Sequence, residues 1–124
     1  MRIFKTKTFA RFARKGGLGD ATLCKAFVDA ERGLIDADLG GGVIKQRIAR
    51  PGEGKSGGFR VVILYKRGKR GFFVYGFAKS ERANIARDEL AALRELASQM
   101  LAYDETEIAK AIASGPLIEV ICNE

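Results

Sequence analysis

The chain contains no histidine and no tryptophan, and it has only two cysteines and two prolines in 124 residues. Without histidine the commonest general acid–base catalyst is missing, so any phosphoryl chemistry here has to use lysine, arginine or tyrosine. Two cysteines without histidine do not make a convincing zinc site, and no acidic pair is placed as a two-metal centre requires. We therefore expect neither a metal nor another cofactor.

Long apolar runs are also missing. None approaches the roughly 20 residues of a membrane-spanning helix, and no apolar signal core follows the basic start, Met1 to Lys5. The apolar fraction of 47% supports one core, and the length predicts a single domain over residues 1–124. We expect a soluble cytoplasmic protein with no membrane partner. In that compartment Cys24 and Cys122 are expected to be reduced, buried thiols.

Positive charge is concentrated in the middle third of the chain. Residues 43–82 contain eleven Lys and Arg against two Glu, a net charge of +9, whereas residues 83–124 carry −5. Charge of one sign packed this closely favours an anionic partner, and nucleic acid is the usual one. The alternative is a solvated sheet edge, because edge lysines also discourage aggregation.

The first 42 residues have helical apolar spacing. Phe9, Phe12 and Ala13 predict a first helix that Gly16-Gly17 ends, and Asp20 is a candidate N-cap for a second. Gly33 interrupts this second segment, and the glycines at 40–42 end the helical region.

After these glycines the apolar period becomes that of strands. Three strands joined by short connections predict an antiparallel meander, at residues 43–49, 59–66 and 72–78. A long amphipathic helix is predicted from near Ser80 to Leu101, followed by a short helix with an Asp104–Glu107 capping box and an apolar tail at 117–122 that could be an edge strand. With a weak first strand at residues 2–7, the order is that of an α+β domain.

The segment Gly54-Lys55-Ser56 invites comparison with a phosphate-binding loop. That motif needs glycine at position 49, where this chain has Ala49, and a helix afterwards, where a strand is predicted. Nucleotide binding of this type is therefore excluded.

The basic residues of the predicted meander form a better candidate site. Lys45 and Arg47 share one face of a strand, Arg60 opens the next strand, and Lys79 closes the last. If these positions converge, their side chains could hold a phosphodiester through charge-assisted hydrogen bonds. RNA is the sensible substrate for cleavage without a metal, because its 2′-OH is an internal nucleophile. The alternative is that these are ordinary solvated residues of a sheet.

Two stretches of the chain resemble the HigB type of RelE-like toxins, in the RelE/ParE superfamily. One is Val43 to Gly52 continued by Gly54 to Arg60, and the other is Phe77 to Ile85 with the helix after Asp88. The resemblance covers nearly the whole chain. It implies a RelE-like α+β fold, an antiparallel meander with two N-terminal helices and a C-terminal helix. It also implies cleavage of mRNA in the ribosomal A site, and neutralisation by an antitoxin, usually a helix-turn-helix DNA-binding protein.

Residue roles are also implied by this resemblance. Lys45 and Arg47 match two catalytic strand lysines of RelE, Arg60 its phosphate-binding arginine, and Lys79 a basic residue after the last strand. Flanking phosphates or ribosomal RNA would be held by Arg50, Lys55 and Arg82.

The chain departs from the family pattern where RelE has a further arginine and a functional tyrosine. Ser80 and Ala86 stand at these positions, and the histidine that HigB enzymes often use is missing. Two alternatives therefore stay open. One is a toxin that inhibits DNA gyrase without catalysis, as ParE-like relatives do, and the other is an antitoxin-bound or RNA-binding module without toxicity.

Overall fold

A computed structural model describes residues 2–50, 58–82 and 84–122. In this part the chain forms an α+β structure, with the elements β1 (Arg2–Thr6), α1 (Lys7–Gly16), α2 (Asp20–Glu31), β2 (Ala37–Gly40), β3 (Val43–Arg50), β4 (Gly58–Lys66), β5 (Arg70–Ala78), α3 (Arg87–Met100), α4 (Glu105–Ser114) and β6 (Leu117–Val120). None of the described helices has the length and apolar character needed to cross a membrane.

The described strands form one mixed sheet in the order β2-β3-β4-β5-β1-β6. β3, β4 and β5 are the antiparallel meander, but the sheet as a whole is not purely antiparallel, because β1 lies parallel to β5. Ile3 and Phe4 of β1 are buried on opposite faces, as is typical of a strand covered on both sides. β6 pairs with β1 at one edge, and the unpredicted β2 pairs with β3 at the other.

Each face of the sheet carries its own apolar core. One core includes Phe9 and Phe27 from α1 and α2, and the other includes Ala97 and Met100 from α3 and Ile108 from α4. β4 lies between them and is buried from Gly58 to Leu64. Side chains of successive strand residues alternate between the two cores, so the parity of a position decides which face it joins.

The observed helix ends correct three predictions. Gly19, not Asp20, is the N-cap of α2, because the backbone of Gly19 is extended and Asp20 is the first helical residue; the Asp20 carboxylate instead accepts from Lys5 and from the Ile121 N–H. α2 ends at Glu31, next to the predicted interruption at Gly33, so the helical region does not reach the glycines at 40–42, and α3 begins at Arg87 rather than near Ser80. The capping box of Asp104 and Glu107 at α4 is confirmed.

Two glycines of β5 allow the first two helices to pack closely on the sheet. A Cβ atom at Gly76 would lie 2.3 Å from the ring of Phe12, and one at Gly71 would lie 2.2 Å from the ring of Phe27. Both rings therefore occupy space that any other residue would fill with its own side chain.

Cys24 and Cys122 form a disulfide, so the expectation of reduced, buried thiols is wrong. Cys24 lies in α2 and Cys122 directly follows β6, and their Cα atoms are 5.8 Å apart. β6 pairs with β1, and this brings the end of the described chain beside α2. A pairing across 98 residues of sequence depends on the topology, which spacing along the chain does not reveal.

Candidate nucleic-acid interface

Three of the predicted basic residues lie side by side on one face of the sheet. Arg47 of β3 is directly opposite Arg60 of β4, and Lys45 is opposite Val62. This is the face on which Val62 packs with the core beneath α3 and α4. By strand parity, the side chains of Lys45, Arg47 and Arg60 all belong to it.

A carboxylate that the sequence analysis missed holds two of these cations. The Nε of Arg47 donates to Oδ1 of Asp36 at 2.7 Å, and the Nζ of Lys45 lies 3.7 Å from Oδ2. The side chains of Asp36 and Lys45 are largely buried, whereas that of Arg47 is 49% exposed. Arg47 therefore pairs with Asp36 and still presents part of its guanidinium to solvent.

The position of Asp36 is fixed from the opposite face by a buried amide. The Asp36 N–H donates to Oε1 of Gln46 at 2.9 Å, and Nε2 of Gln46 donates to the carbonyls of Ala26 and Leu34 at 3.1 and 2.9 Å. Gln46 is only 4% exposed, so these three hydrogen bonds satisfy a side chain that would otherwise be costly to bury. Gln46 thus ties the middle of α2 and the segment before β2 to β3.

Arg60 is the most enclosed of the predicted cations, with 4% of its surface exposed. Its Nη1 donates to the carbonyl of Phe59 at 3.3 Å. Its register partner on β5 is Phe77, so Arg60 lies between Arg47 of β3 and an aromatic residue of β5. Arg60 is therefore the buried member of this cationic row, and Arg47 is the more accessible one.

A second cluster surrounds Arg82, just after β5. Its guanidinium makes a bidentate ion pair with Glu89 at 2.5 and 3.1 Å, donates to the Tyr75 hydroxyl at 2.9 Å, and lies over the Phe77 ring at 5.3 Å. The hydrogen bond from Arg82 lowers the pKa of Glu89, as does that from the Ala86 N–H, and Glu89 in turn raises the pKa of Arg82. Glu89 and Tyr75 therefore hold the guanidinium of Arg82 in place. Arg82 also contacts the ring of Phe77, which is the register partner of Arg60.

Tyr75 was not predicted as a site residue, although a tyrosine is what the sequence lacks at Ala86. Tyr75 lies opposite Val62, because the register of β4 and β5 shifts next to this pair. The side chain of Tyr75 therefore lies on the face of Val62, where its hydroxyl accepts a hydrogen bond from Arg82. Without this β-bulge, strand alternation would put Tyr75 on the same face as Phe73. A bulge leaves no clear mark in the sequence, so only the structure reveals the phenol.

The other predicted residues are more widely spread. Lys79 lies beyond β5 with an exposed side chain, and its N–H donates to the carbonyl of Gly58 at 3.1 Å. The guanidinium of Arg50 lies 5.2 Å from the ring centroid of Phe59, which belongs to the core of the opposite face. Lys55, like the rejected phosphate loop, lies outside the described residues.

A cavity of about 640 Å³ opens where the end of β5 meets α1. Cations and aromatic rings from both faces of the sheet line it, among them Lys15, Arg50, Arg82, Phe12, Phe59 and Tyr75. Guanidinium and ammonium groups bind phosphates, and aromatic rings stack on bases. The chemistry of this lining therefore suits a nucleotide unit of a polymer. Within the described ranges, no group of His, Cys, Asp or Glu is arranged to hold a metal ion.

The fold and the grouped cations define a class, a small basic α+β protein with its charge collected on the face and ends of a mixed sheet. The chain belongs to the RelE family, since a family model described as the RelE toxin of the RelE/RelB toxin–antitoxin system matches residues 1–120. This confirms the resemblance to RelE-like toxins. A comparison with curated proteins found no match.

Proposed function

We propose that the protein is the toxin of a type II toxin–antitoxin system and cleaves mRNA on the ribosome without a metal ion. The observation that carries the proposal is the register of β3 and β4, which sets Arg47 opposite Arg60 with Lys45 on the same face. The family match supports the toxin role. The cytoplasm, with its ribosomes and mRNA, is the proposed place of action.

The proposed reaction uses the nucleophile of the substrate. The 2′-oxygen attacks the adjacent phosphorus, the bond from phosphorus to the 5′-oxygen breaks, and the products are a 2′,3′-cyclic phosphate and a 5′-hydroxyl. One proton leaves the 2′-hydroxyl and one reaches the 5′-oxygen. Arg47 and Arg60 would stabilise the charge that develops on the phosphate oxygens, and Lys45 would take part in the proton transfer.

Other residues would bind the RNA around the scissile phosphate. Lys79 would complete the catalytic set, while Arg50, Lys55 and Arg82 would hold flanking phosphates. The Tyr75 hydroxyl accepts a hydrogen bond from Nη1 of Arg82 at 2.9 Å, which places a phenol in the same region. It is our candidate for the tyrosine that the family carries elsewhere in the chain.

The partner that would neutralise this toxin is an antitoxin, which we propose to be a helix-turn-helix DNA-binding protein of the kind paired with HigB toxins. Co-expression with a neighbouring reading frame of that type should restore growth. If that reading frame leaves the growth arrest in place, it is not the antitoxin.

Induced expression followed by mapping of mRNA 5′ ends tests the cleavage directly. The wild-type chain should create new ends within coding regions, and Arg47→Ala should abolish most of them, because losing one aligned stabilising group costs about 10²–10³ in rate. Lys110→Ala on α4 is the matched control, since Lys110 is an exposed cation on a helix that packs on β6, at the edge of the sheet far from β3. Arrested growth without new ends would exclude the nuclease, and normal growth would exclude toxicity.

One observation favours a second candidate, inhibition of DNA gyrase by binding alone. Lys45 and Arg47 are paired with Asp36, and Arg60 is buried, so these cations have intramolecular roles even without RNA. A gyrase supercoiling assay run beside a translation assay separates the two. Inhibition of supercoiling with intact translation supports the gyrase candidate.

A further inference from the structure

The helix α1 carries a row of cations that the sequence analysis left outside the candidate site. Its ten residues include four exposed Lys and Arg and no acidic residue, the four being Lys7, Arg11, Arg14 and Lys15. Spacings of three and four residues put these side chains on one side of the helix, over about 12 Å along its axis. We call these four residues the α1 basic face.

Helix stability does not account for this face. Arg14 and Lys15 in the last turn complement the helix dipole, but Lys7 is at the first helical position, where a cation opposes it and an acid is preferred. In the described part of the chain, no carboxylate lies within 4.0 Å of any of the four cations. Such an unneutralised row repels itself and is better explained by an anionic partner.

The apolar side of α1 decides which kind of anionic partner fits. An amphipathic helix that binds a membrane buries its apolar side among the lipids. In α1 that side is already used, since Phe9 and Ala13 are each 1% exposed within the core and Phe12 covers Gly76. The side of α1 that remains accessible to a partner is charged and not apolar. A phosphate backbone binds such a surface through charge alone, whereas a lipid surface also needs apolar contact.

The α1 basic face is also continuous with the candidate site. Lys15 at its end lines the same cavity as Arg50 and Arg82, although α1 covers the face of the sheet opposite to Arg60. The cavity passes around the end of β5 and connects the two faces. An RNA strand leaving the site near Arg82 would meet Lys15 first and then the rest of α1.

We propose that the α1 basic face binds the phosphate backbone of an RNA segment other than the one cleaved, and so supplies affinity separately from catalysis. The choice of RNA rests on the proposed function. The face itself rests on the four exposed cations, the missing acids and the shared cavity. Its loss should therefore weaken binding in a salt-dependent way and leave the reacting groups in place.

Binding to RNA that cannot be cleaved tests this. A fluorescein-labelled 2′-O-methyl RNA hairpin lacks the nucleophile, and fluorescence anisotropy measures its affinity for the full chain between about 50 and 200 mM salt. Arg11→Gln/Arg14→Gln should bind roughly tenfold more weakly, and its slope of log K against log salt should fall by about 1.4–1.8, as for two lost phosphate contacts. Arg67→Gln/Lys110→Gln, at exposed cations between β4 and β5 and on α4, makes the same change in charge and should behave as the wild type.

An equal loss in both double variants would overturn the proposal, because net charge alone would then explain the binding. Unchanged RNA binding in the α1 variant would overturn it too, as would binding to phosphatidylserine vesicles that depends on α1 while RNA binding does not. If the wild-type chain cuts no mRNA but binds the hairpin through α1, the proposed nuclease fails and this surface stands.

Discussion

Arg47 donates a hydrogen bond from Nε to the carboxylate of Asp36 at 2.7 Å, joining β3 to the segment that precedes β2. The Nζ of Lys45 lies 3.7 Å from the second oxygen of the same carboxylate. One anion thus sets the positions of two proposed catalytic cations. Asp36 is therefore a positioning residue for them, and it also adds a negative charge where an RNA phosphate has to approach.

Replacement of Asp36 should separate these two effects. Asp36→Asn keeps an oxygen that can accept from Arg47 but removes the charge, so we expect non-cleavable RNA to bind about threefold to tenfold more tightly. Cleavage at saturating RNA should fall about tenfold, because Lys45 and Arg47 lose their charged anchor. Stability should fall by about 1–3 kcal/mol, because Asp36 and Lys45 are largely buried and Lys45 loses its counter-ion.

Single-turnover kinetics measure the effect on cleavage, and fluorescence anisotropy measures the effect on RNA binding. Asp38→Asn is the matched control, since Asp38 is exposed on β2 and its carboxylate accepts from the Gly40 N–H instead. Parallel losses of binding and cleavage in Asp36→Asn would show that the residue is merely structural. Tighter RNA binding by Asp38→Asn as well would mean that the change in net charge alone explains the effect.

Tyr75 gives a second prediction about the site. Tyr75→Phe removes the hydroxyl that accepts from Arg82 and keeps the ring beside Phe77, so the fold should be retained. We expect mRNA cleavage to fall about 10- to 100-fold with little change in RNA affinity. Tyr103→Phe, in the core of the same face, is the control and should cut normally. Full activity of Tyr75→Phe would remove the phenol from the mechanism.

Comparison of Lys45, Arg47 and Tyr75 shows what the sequence can predict in this site. Lys45 and Arg47 were found because unbroken alternation along β3 keeps both on one face. Tyr75 was missed because the bulge in β5 reverses that alternation. Asp36 was missed because it precedes a four-residue strand, β2, whose pairing with β3 depends on a hairpin at Gly41 and Gly42.

The same contrast holds for the fold. Local patterns predicted the α4 capping box, the meander and the short edge strand at the end of the chain. The parallel pairing of β1 with β5 is a contact across almost seventy positions of sequence, and the disulfide spans 98. Such long-range contacts follow from packing of the whole chain and have no local signature.

Reduction of the disulfide should destabilise the fold without removing any site residue. Closing a loop of 98 residues through Cys24 and Cys122 stabilises a protein by about 3–5 kcal/mol in the chain-entropy account. Urea unfolding with and without dithiothreitol should show a loss in this range. Cys24→Ala/Cys122→Ala should already have the lower stability and be insensitive to the reductant. If the reductant leaves the wild-type midpoint unchanged, the bond does not form in solution.

Asp20 predicts how stability depends on pH near the same end of the chain. Burial alone would raise the pKa of Asp20, but hydrogen bonds from the Ile121 N–H at 2.9 Å and from Lys5 at 3.2 Å outweigh it and lower the pKa. Because the folded-state pKa lies below the unfolded one, the stabilisation is present at neutral pH and is lost as the pH falls below about 4.

Asp20→Asn should therefore be less stable than the wild type by about 1–2 kcal/mol at pH 7. This difference should shrink below about pH 4, because the wild-type carboxyl then becomes neutral as well. Urea midpoints measured from pH 7 down to pH 3 test the trend, with the exposed Glu95→Gln on α3 as a control that should track the wild type throughout. A gap that stays constant over this range would mean that Asp20 stabilises the chain through packing or neutral hydrogen bonding rather than through its charge.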